Sequence, residues 1–190
     1  GLSMVRNIGD RGYEATFLLN LGSISFRRGD YDESETLNRD ALSIVREIGD
    51  REVEAKALNN LGAIIAMRGD EEEAARLYQE SLAIVREIGD RRVECLAVHN
   101  LGSRAQHKGD FVGANSNYRE GLQIARENGY RELEALSLNS TGIISSSLGD
   151  YDDAEGLHRE ALSISRDIGY RRGEGDALNS LGNIAAFHGE

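Results

Sequence analysis

The protein has 190 residues, of which 39% are hydrophobic, and a formal net charge of -11 at pH 7. This acidic charge repels phosphate backbones and argues against nucleic-acid binding. No apolar run is long enough to cross a membrane, the first residues do not resemble a signal peptide, and the single cysteine, Cys95, excludes an internal disulfide. We therefore predict a cytoplasmic protein without membrane contact.

In chain order, the sequence repeats itself every forty residues. The segment at 58–70 reads "LNNLGAIIAMRGD", and it returns at 98 as "VHNLGSRAQHKGD" and at 138 as "LNSTGIISSSLGD". The other half of the unit repeats as well, because "ALSIVREIGD" at 41 returns at 81 as "SLAIVREIGD". We predict a single array over 1–190: the end of a preceding second helix at 1–10, complete units at 11–50, 51–90, 91–130 and 131–170, and the first helix of a fifth unit at 171–190.

Each half of a unit is predicted to form one helix. Between 74 and 88, apolar side chains recur at steps of three and four residues, which is the spacing of one helical stripe. The dipeptide Gly49-Asp50 predicts a turn, because glycine can end one helix in a left-handed conformation and aspartate can cap the next. A second glycine inside each first helix, such as Gly62, lowers helix stability by about 1 kcal/mol relative to alanine. We expect this glycine to let the backbone of the partner helix approach closely.

The third unit departs from the others at two predicted core positions. Arg104 stands where the other units have isoleucine, and Asn117 stands where they have leucine. Gly113 and Gly121 further lower the helix propensity of this second helix. We therefore expect the lowest local stability of the array at 111–128.

The spacing of several residues resembles a known repeat. In the second unit, Leu-x-x-Leu-Gly-x-x-Ile at 58–65 is followed by Ala-x-x-x-Tyr at 74–78. This pattern resembles the tetratricopeptide repeat, and the forty-residue unit is similar to those of kinesin light chains and of prokaryotic signalling arrays. The chain departs from the usual repeat of about 34 residues in length and in having no tryptophan or proline. The resemblance implies an all-α fold, an α-solenoid in which antiparallel helix pairs stack as a right-handed superhelix.

The resemblance also implies that the first helices line a concave groove, which holds a peptide or protein segment. The predicted groove residues are Asn20, Lys56, Asn59, Asn60, His99, Asn100, Ser103, Asn139, Asn179 and Asn183. An amide both donates and accepts hydrogen bonds, so a ladder of amides can pair with the backbone of an extended ligand without reading its sequence. The alternative is that these asparagines form hydrogen bonds within the repeat and bind no ligand.

Charge is distributed unevenly between the two helices of a unit. The first-helix segments sum to zero, whereas the second-helix segments carry the entire charge of -11. The groove is therefore predicted to be polar and nearly neutral, and a strongly acidic or basic ligand is not required.

No constellation of residues predicts catalysis or metal binding. His99 and His107 are separated on one helix by roughly 12 Å, which is too far to share a metal ion. Cys95 has no other cysteine nearby and is predicted to be a packed residue. The arginines at 11, 51, 91, 131 and 171 could hold phosphates, but a glutamate follows each by three residues and favours a self-neutralised surface. We predict no catalytic residue, no metal and no cofactor.

Two hypotheses for function remain. The first is a non-catalytic module that binds a protein or peptide partner in the groove. The second is a scaffold or sensor segment of a larger signalling protein, which self-associates end to end. Because the array begins and stops within a unit and Leu178 and Leu181 have no following partner helix, we expect a fragment of a longer protein.

Overall fold

The computed structural model describes residues 10–188, and of residue 188 only the backbone. This part of the chain contains nine α-helices and no strand, which confirms the predicted all-α fold. In order they are α1 (Arg11–Arg28), α2 (Tyr31–Ile48), α3 (Arg51–Met67), α4 (Glu71–Ile88), α5 (Arg91–His107), α6 (Phe111–Asn128), α7 (Arg131–Ser147), α8 (Tyr151–Asp167) and α9 (Arg171–His188). None of these helices is both long and apolar enough to span a lipid bilayer. The helix end predicted at 1–10 lies outside the described residues, apart from Asp10.

The chain divides into two compact units, Gly1–Ala97 and Val98–Glu190. In the first unit, α1 packs against α2, α2 against α3, and α3 against α4, while α1 also contacts α3. In the second unit, consecutive helices from α6 to α9 pack in the same way, and α7 contacts α9. Within each unit, a first helix therefore lies against its own second helix and beside the first helix of the next repeat, which is the predicted stacking of antiparallel pairs.

Glycine and aspartate form the turns as predicted. Eight glycines that follow helices adopt positive φ angles between 69° and 86°; they are Gly29, Gly49, Gly69, Gly89, Gly109, Gly129, Gly149 and Gly169. The side chain of Asp50 accepts a hydrogen bond from the Val53 amide at 3.1 Å, and Asp110 accepts one from Gly113 at 2.8 Å. Asp30 forms no such bond, so the aspartate cap is not used in every turn.

The glycine inside a first helix accommodates a side chain of the second helix of its repeat. The pairs are Gly22 with Asn38, Gly62 with Tyr78, Gly102 with Tyr118, and Gly142 with His158. A Cβ atom built on Gly62 would lie 2.7 Å from the ring of Tyr78, and Tyr78 is only 2% exposed. A side chain of the second helix thus fills the space that the missing Cβ leaves, and at Gly22 the backbone oxygen of Ser34 also lies 3.4 Å from that position.

A buried glutamate near the start of a first helix connects consecutive repeats. Glu54, which is 6% exposed, accepts hydrogen bonds from Arg46 Nε at 2.9 Å and from Arg51 Nη1 at 2.6 Å. Glu94 and Glu134 are held by equivalent pairs of arginines. The arginine–glutamate pairs predicted at three-residue spacing are present at all five positions. The second arginine that binds each of these glutamates stands eight residues earlier, in the preceding second helix. The three-residue spacing within a first helix does not predict this contact.

Candidate functional site

Adjacent first helices of the first unit, α1 and α3, form a groove that contains three of the predicted site residues. The groove has a volume of about 490 Å³ and is lined by Thr16, Leu19, Asn20, Ser23, Glu52, Val53, Lys56 and Asn60. Asn20 is exposed and makes no hydrogen bond with any residue that the structure describes. Lys56 forms an ion pair with Glu52, one turn earlier on α3. The groove therefore contains the exposed amide of Asn20 next to the Lys56–Glu52 ion pair, which has no net charge.

Asn60 connects this groove to the helix behind it. Its Nδ2 donates to Asn38 Oδ1 at 3.2 Å, and Asn38 Nδ2 donates to the carbonyl oxygen of Ser34 at 2.8 Å. Asn38 is 1% exposed, whereas Asn60 is only partly buried. Because Asn60 uses one of its two amide protons in this bond, an internal hydrogen bond and a ligand contact do not exclude each other at this residue.

A second pocket adjoins the groove of the first unit. It has a volume of about 390 Å³ and is lined by Gly22, Ser23, Phe26, Arg27, Ser34, Asn38, Asn60, Ala63 and Ile64. Arg27 is exposed, and it has no carboxylate partner within residues 10–187. The sequence does not indicate Phe26 or Arg27 as site residues, because the repeats have no constant residue type at either position.

In the second unit, His99 is a packed side chain at the groove face. Its ring centroid lies 5.0 Å from that of Tyr118, and its Nδ1 is buried without a hydrogen-bond partner in the described part of the chain. Burial lowers the pKa of His99 from 6.5 to about 4, so the imidazole is neutral at pH 7. His99 therefore contributes shape to this face but no charge.

The amides of the second unit form two groups. Asn139 is partly buried, and its Oδ1 lies 2.7 Å from Nδ1 of His158. Asn179 and Asn183 on α9 are exposed and make no hydrogen bond with other described residues. The remaining predicted site residues, Asn59, Asn100 and Ser103, are partly buried. Asn179 and Asn183 are thus open to a ligand, whereas Asn139 already contacts the second helix of its own repeat.

A pocket in the second unit repeats the position of the 390 Å³ pocket with different side chains. It has a volume of about 310 Å³, lies between α7, α8 and α9, and is lined by Ile143, Ser146, Ser147, Tyr151, His158, Ser180, Asn183, Ile184 and Phe187. Seven of these nine positions are related to the first pocket by the repeat. Among them, His158 replaces Asn38 and Ser147 replaces Arg27. The sequence does not indicate His158 as a site residue, because the residue type at this position differs between repeats.

The described residues contain no arrangement of three His, Cys, Asp or Glu side chains that could hold a metal ion. Cys95 is 1% exposed, and burial raises the pKa of its thiol to about 11. The thiol is therefore protonated at pH 7, which agrees with a packing role and not with that of a nucleophile.

A sequence profile described as Tetratricopeptide repeat matches residues 13–87 and 93–167, which is well over half of the chain. The chain belongs to the tetratricopeptide repeat family. Membership confirms the resemblance seen in the sequence and indicates a protein-interaction or sensor module, which is generally non-catalytic. A comparison with curated protein sequences found no significant match.

Several solved structures share this tetratricopeptide repeat fold. BtubC (BKLC) from P. vanneervenii has a TM-score of 0.81 and 21% identity over 99% of this chain and 80% of that chain. A STAND signal-transduction ATPase with a tetratricopeptide repeat sensor, from Pyrococcus horikoshii, has a TM-score of 0.77 and 22% identity over 93% of this chain and 28% of that chain. A Rap protein complexed with Competence and Sporulation Factor has a TM-score of 0.80 and 17% identity over 94% of this chain and 49% of that chain. At these identities the likeness establishes the helical solenoid fold, and the chain spans less than half of the last two proteins.

Proposed function

We propose that this tetratricopeptide repeat protein binds an extended peptide, or an extended segment of a partner protein, along the face of its first helices. The observation that carries the proposal is the groove between α1 and α3, where Asn20 is exposed and makes no internal hydrogen bond within the described residues. An extended backbone offers N–H and C=O groups in turn, and one amide side chain can pair with both. Asn179 and Asn183 offer the same chemistry in the second unit.

The charge of the first helices supports recognition of the ligand backbone rather than of its charged side chains. The first-helix segments sum to zero, and Lys56 in the groove is already paired with Glu52. A ligand held by neutral hydrogen bonds is screened little by salt, in contrast to one held by exposed ion pairs. Binding should therefore depend only weakly on ionic strength.

Two proteins of the same fold support this kind of function. The Rap protein was solved in complex with Competence and Sporulation Factor, and the STAND ATPase carries its repeats as a sensor. In repeat proteins the stacked units create an extended surface, which suits a long ligand better than a compact one. An extended protein segment is the ligand class that fits both this surface and its exposed amides.

The proposal is tested with peptides selected from a random-sequence library for binding to the protein. We expect the double variant Asn20→Ala/Asn179→Ala to weaken binding about fivefold for each of the two amides that contacts the ligand, because each lost hydrogen bond contributes about 1 kcal/mol. The control is Gln79→Ala, which removes an exposed amide from the second helix α4 and should leave affinity unchanged. Equal affinities for the wild type and the double variant would contradict the proposal.

A second candidate function is that of a scaffold or sensor segment which self-associates. It is favoured by Leu178 of α9, which is 45% exposed, and by the STAND protein, in which a sensor of this fold is part of a longer chain. Sedimentation equilibrium distinguishes the two candidates. A mass that rises with concentration in the wild type but not in Leu178→Gln would favour self-association, and a constant monomer mass would exclude it.

A further inference from the structure

The 310 Å³ pocket between α7, α8 and α9 offers mainly hydrogen-bond acceptors and aromatic surface to whatever enters it. We propose that this pocket binds a guanidinium or ammonium group, that is, an arginine or lysine side chain of the bound segment. The inference rests on the proposed function for the identity of the ligand as a peptide. It specifies which class of peptide side chain this pocket of the second unit binds.

The first observation is an unused acceptor on a buried side chain. His158 is 1% exposed, and its Nδ1 lies 2.7 Å from Asn139 Oδ1. Because an amide oxygen only accepts hydrogen bonds, Nδ1 carries the proton and Nε2 has a lone pair. Within residues 10–187, no group donates to Nε2. The side chain that carries this acceptor lines the pocket, so a donor of the ligand can bond to it.

The imidazole keeps this acceptor at neutral pH. Burial lowers the pKa of His158, since the charged form would lose its hydration. The ring also packs against Gly142, where a Cβ atom would lie 2.7 Å from its Cε1 atom, so the ring is held in place. His158 therefore presents a neutral acceptor of fixed position.

Two hydroxyl groups of the pocket are also acceptors. Ser147 donates its hydroxyl proton to the carbonyl oxygen of Ile143 at 2.9 Å, and Ser180 donates to that of Asp176 at 3.1 Å. With these protons used inside their own helices, the two oxygens offer lone pairs to the pocket. A ligand that fits must therefore bring several donors, as guanidinium and ammonium groups do.

Aromatic rings complete the site. Tyr151 and Phe187 are stacked with their ring centroids 4.4 Å apart, and both line the pocket. Aromatic faces attract cations, and Phe187 is 65% exposed, so the attraction here is that of a partly hydrated site. No lysine or arginine is among the lining residues, so the ligand cation meets no like charge there. The equivalent pocket of the first unit is lined by Arg27, whose positive charge would repel a ligand cation.

The test uses two small probes, N-acetyl-arginine methylamide and its neutral analogue N-acetyl-citrulline methylamide. Histidine ring nitrogens of the full chain are followed by long-range ¹H–¹⁵N NMR during titration. We expect the arginine derivative to move the Nε2 resonance of His158, but not those of His99 or His107, and to bind about tenfold more tightly than the citrulline derivative. No movement up to the solubility limit, or equal affinities of the two probes, would overturn the proposal.

Two variants connect the response to the pocket. His158→Phe keeps an aromatic ring like those of Tyr78 and Tyr118 at the equivalent positions but removes the acceptor, and it should abolish the preference for arginine over citrulline. Phe187→Met introduces the residue found at the equivalent Met67 and should reduce that preference about threefold. A preference that survives in both variants would contradict the assignment.

The double variant Asn20→Ala/Asn179→Ala separates this inference from the proposed function, because neither residue lines the pocket. If peptide binding fails to respond to that variant while the arginine probe still selects the pocket, the cation site stands and recognition of the backbone does not. If peptides bind as proposed and the probes do not discriminate, only the cation site is wrong.

Discussion

A single missing Cβ atom decides how closely the two helices of a repeat pack. Gly62→Ala would place a methyl group 2.7 Å from the buried ring of Tyr78, and we expect it to lower the free energy of unfolding by roughly 1–3 kcal/mol. Gly182 on α9 is the matched control, because a Cβ atom there meets nothing within 4 Å. Gly182→Ala should stabilise the protein by about 0.5–1 kcal/mol through helix propensity. Urea titration of both variants measures these changes, and a loss of stability in Gly182→Ala would contradict the explanation.

His99 makes the stability of the protein depend on pH. Its pKa is about 4 in the folded protein and near 6.5 when it is exposed, so the unfolded chain takes up the proton first as the pH falls. Stability is therefore lost between pH 6.5 and about 4, by as much as about 3 kcal/mol. His99→Asn introduces the residue found at the equivalent Asn59 and Asn139 and should remove this loss.

The measurement is urea unfolding of the wild type and His99→Asn at several pH values. The two proteins differ only at residue 99, so the difference between the two curves isolates His99. Parallel curves between pH 6.5 and 4 would show that His99 is not the group responsible.

At the scale of the helix, the buried glutamate determines how one repeat is attached to the next. Glu54 accepts hydrogen bonds from arginines of α2 and α3, whereas Glu52 is exposed and forms an ion pair with Lys56 of its own helix. Glu54→Gln should lower the free energy of unfolding by about 1–3 kcal/mol, because hydrogen bonds to a charged group are lost. Glu52→Gln should change it by less than about 1 kcal/mol. Equal effects of the two substitutions in thermal or urea unfolding would contradict this role.

The weakest helix is expected to be α6. Asn117 is partly buried, and its Nδ2 donates to the carbonyl oxygen of Gly113 in the same helix, at 2.8 Å. Where other second helices place leucine, α6 therefore has a shorter, polar side chain, which buries less apolar surface. Amide hydrogen exchange should show α6 opening before α7 and α8. Asn117→Leu should slow exchange in α6, and uniform protection along the second unit would contradict the prediction.

Across the whole molecule, the forty-residue period predicts the fold because each helix and turn depends on residues within about one helix of it. Gly49 and Asp50, for example, end and begin helices through their own conformation and their nearest amides. Contacts such as Asn60 with Asn38 could not be predicted, because they depend on how far neighbouring helices are shifted along each other. The place of His158 in a pocket could not be predicted either, since this position is filled by asparagine, tyrosine or histidine in different repeats. These side chains share only the glycine against which they pack.

The central claim is that the array binds an extended segment through the backbone of the ligand, and backbone methylation of a bound peptide tests it most directly. A selected peptide is synthesised with one N-methyl group at each position in turn and, separately, with each side chain truncated to alanine. N-methylation removes a backbone donor, so we predict affinity losses of about fivefold at alternate positions, with little dependence on salt. Losses that follow side-chain truncation, with N-methylation neutral throughout, would contradict the account.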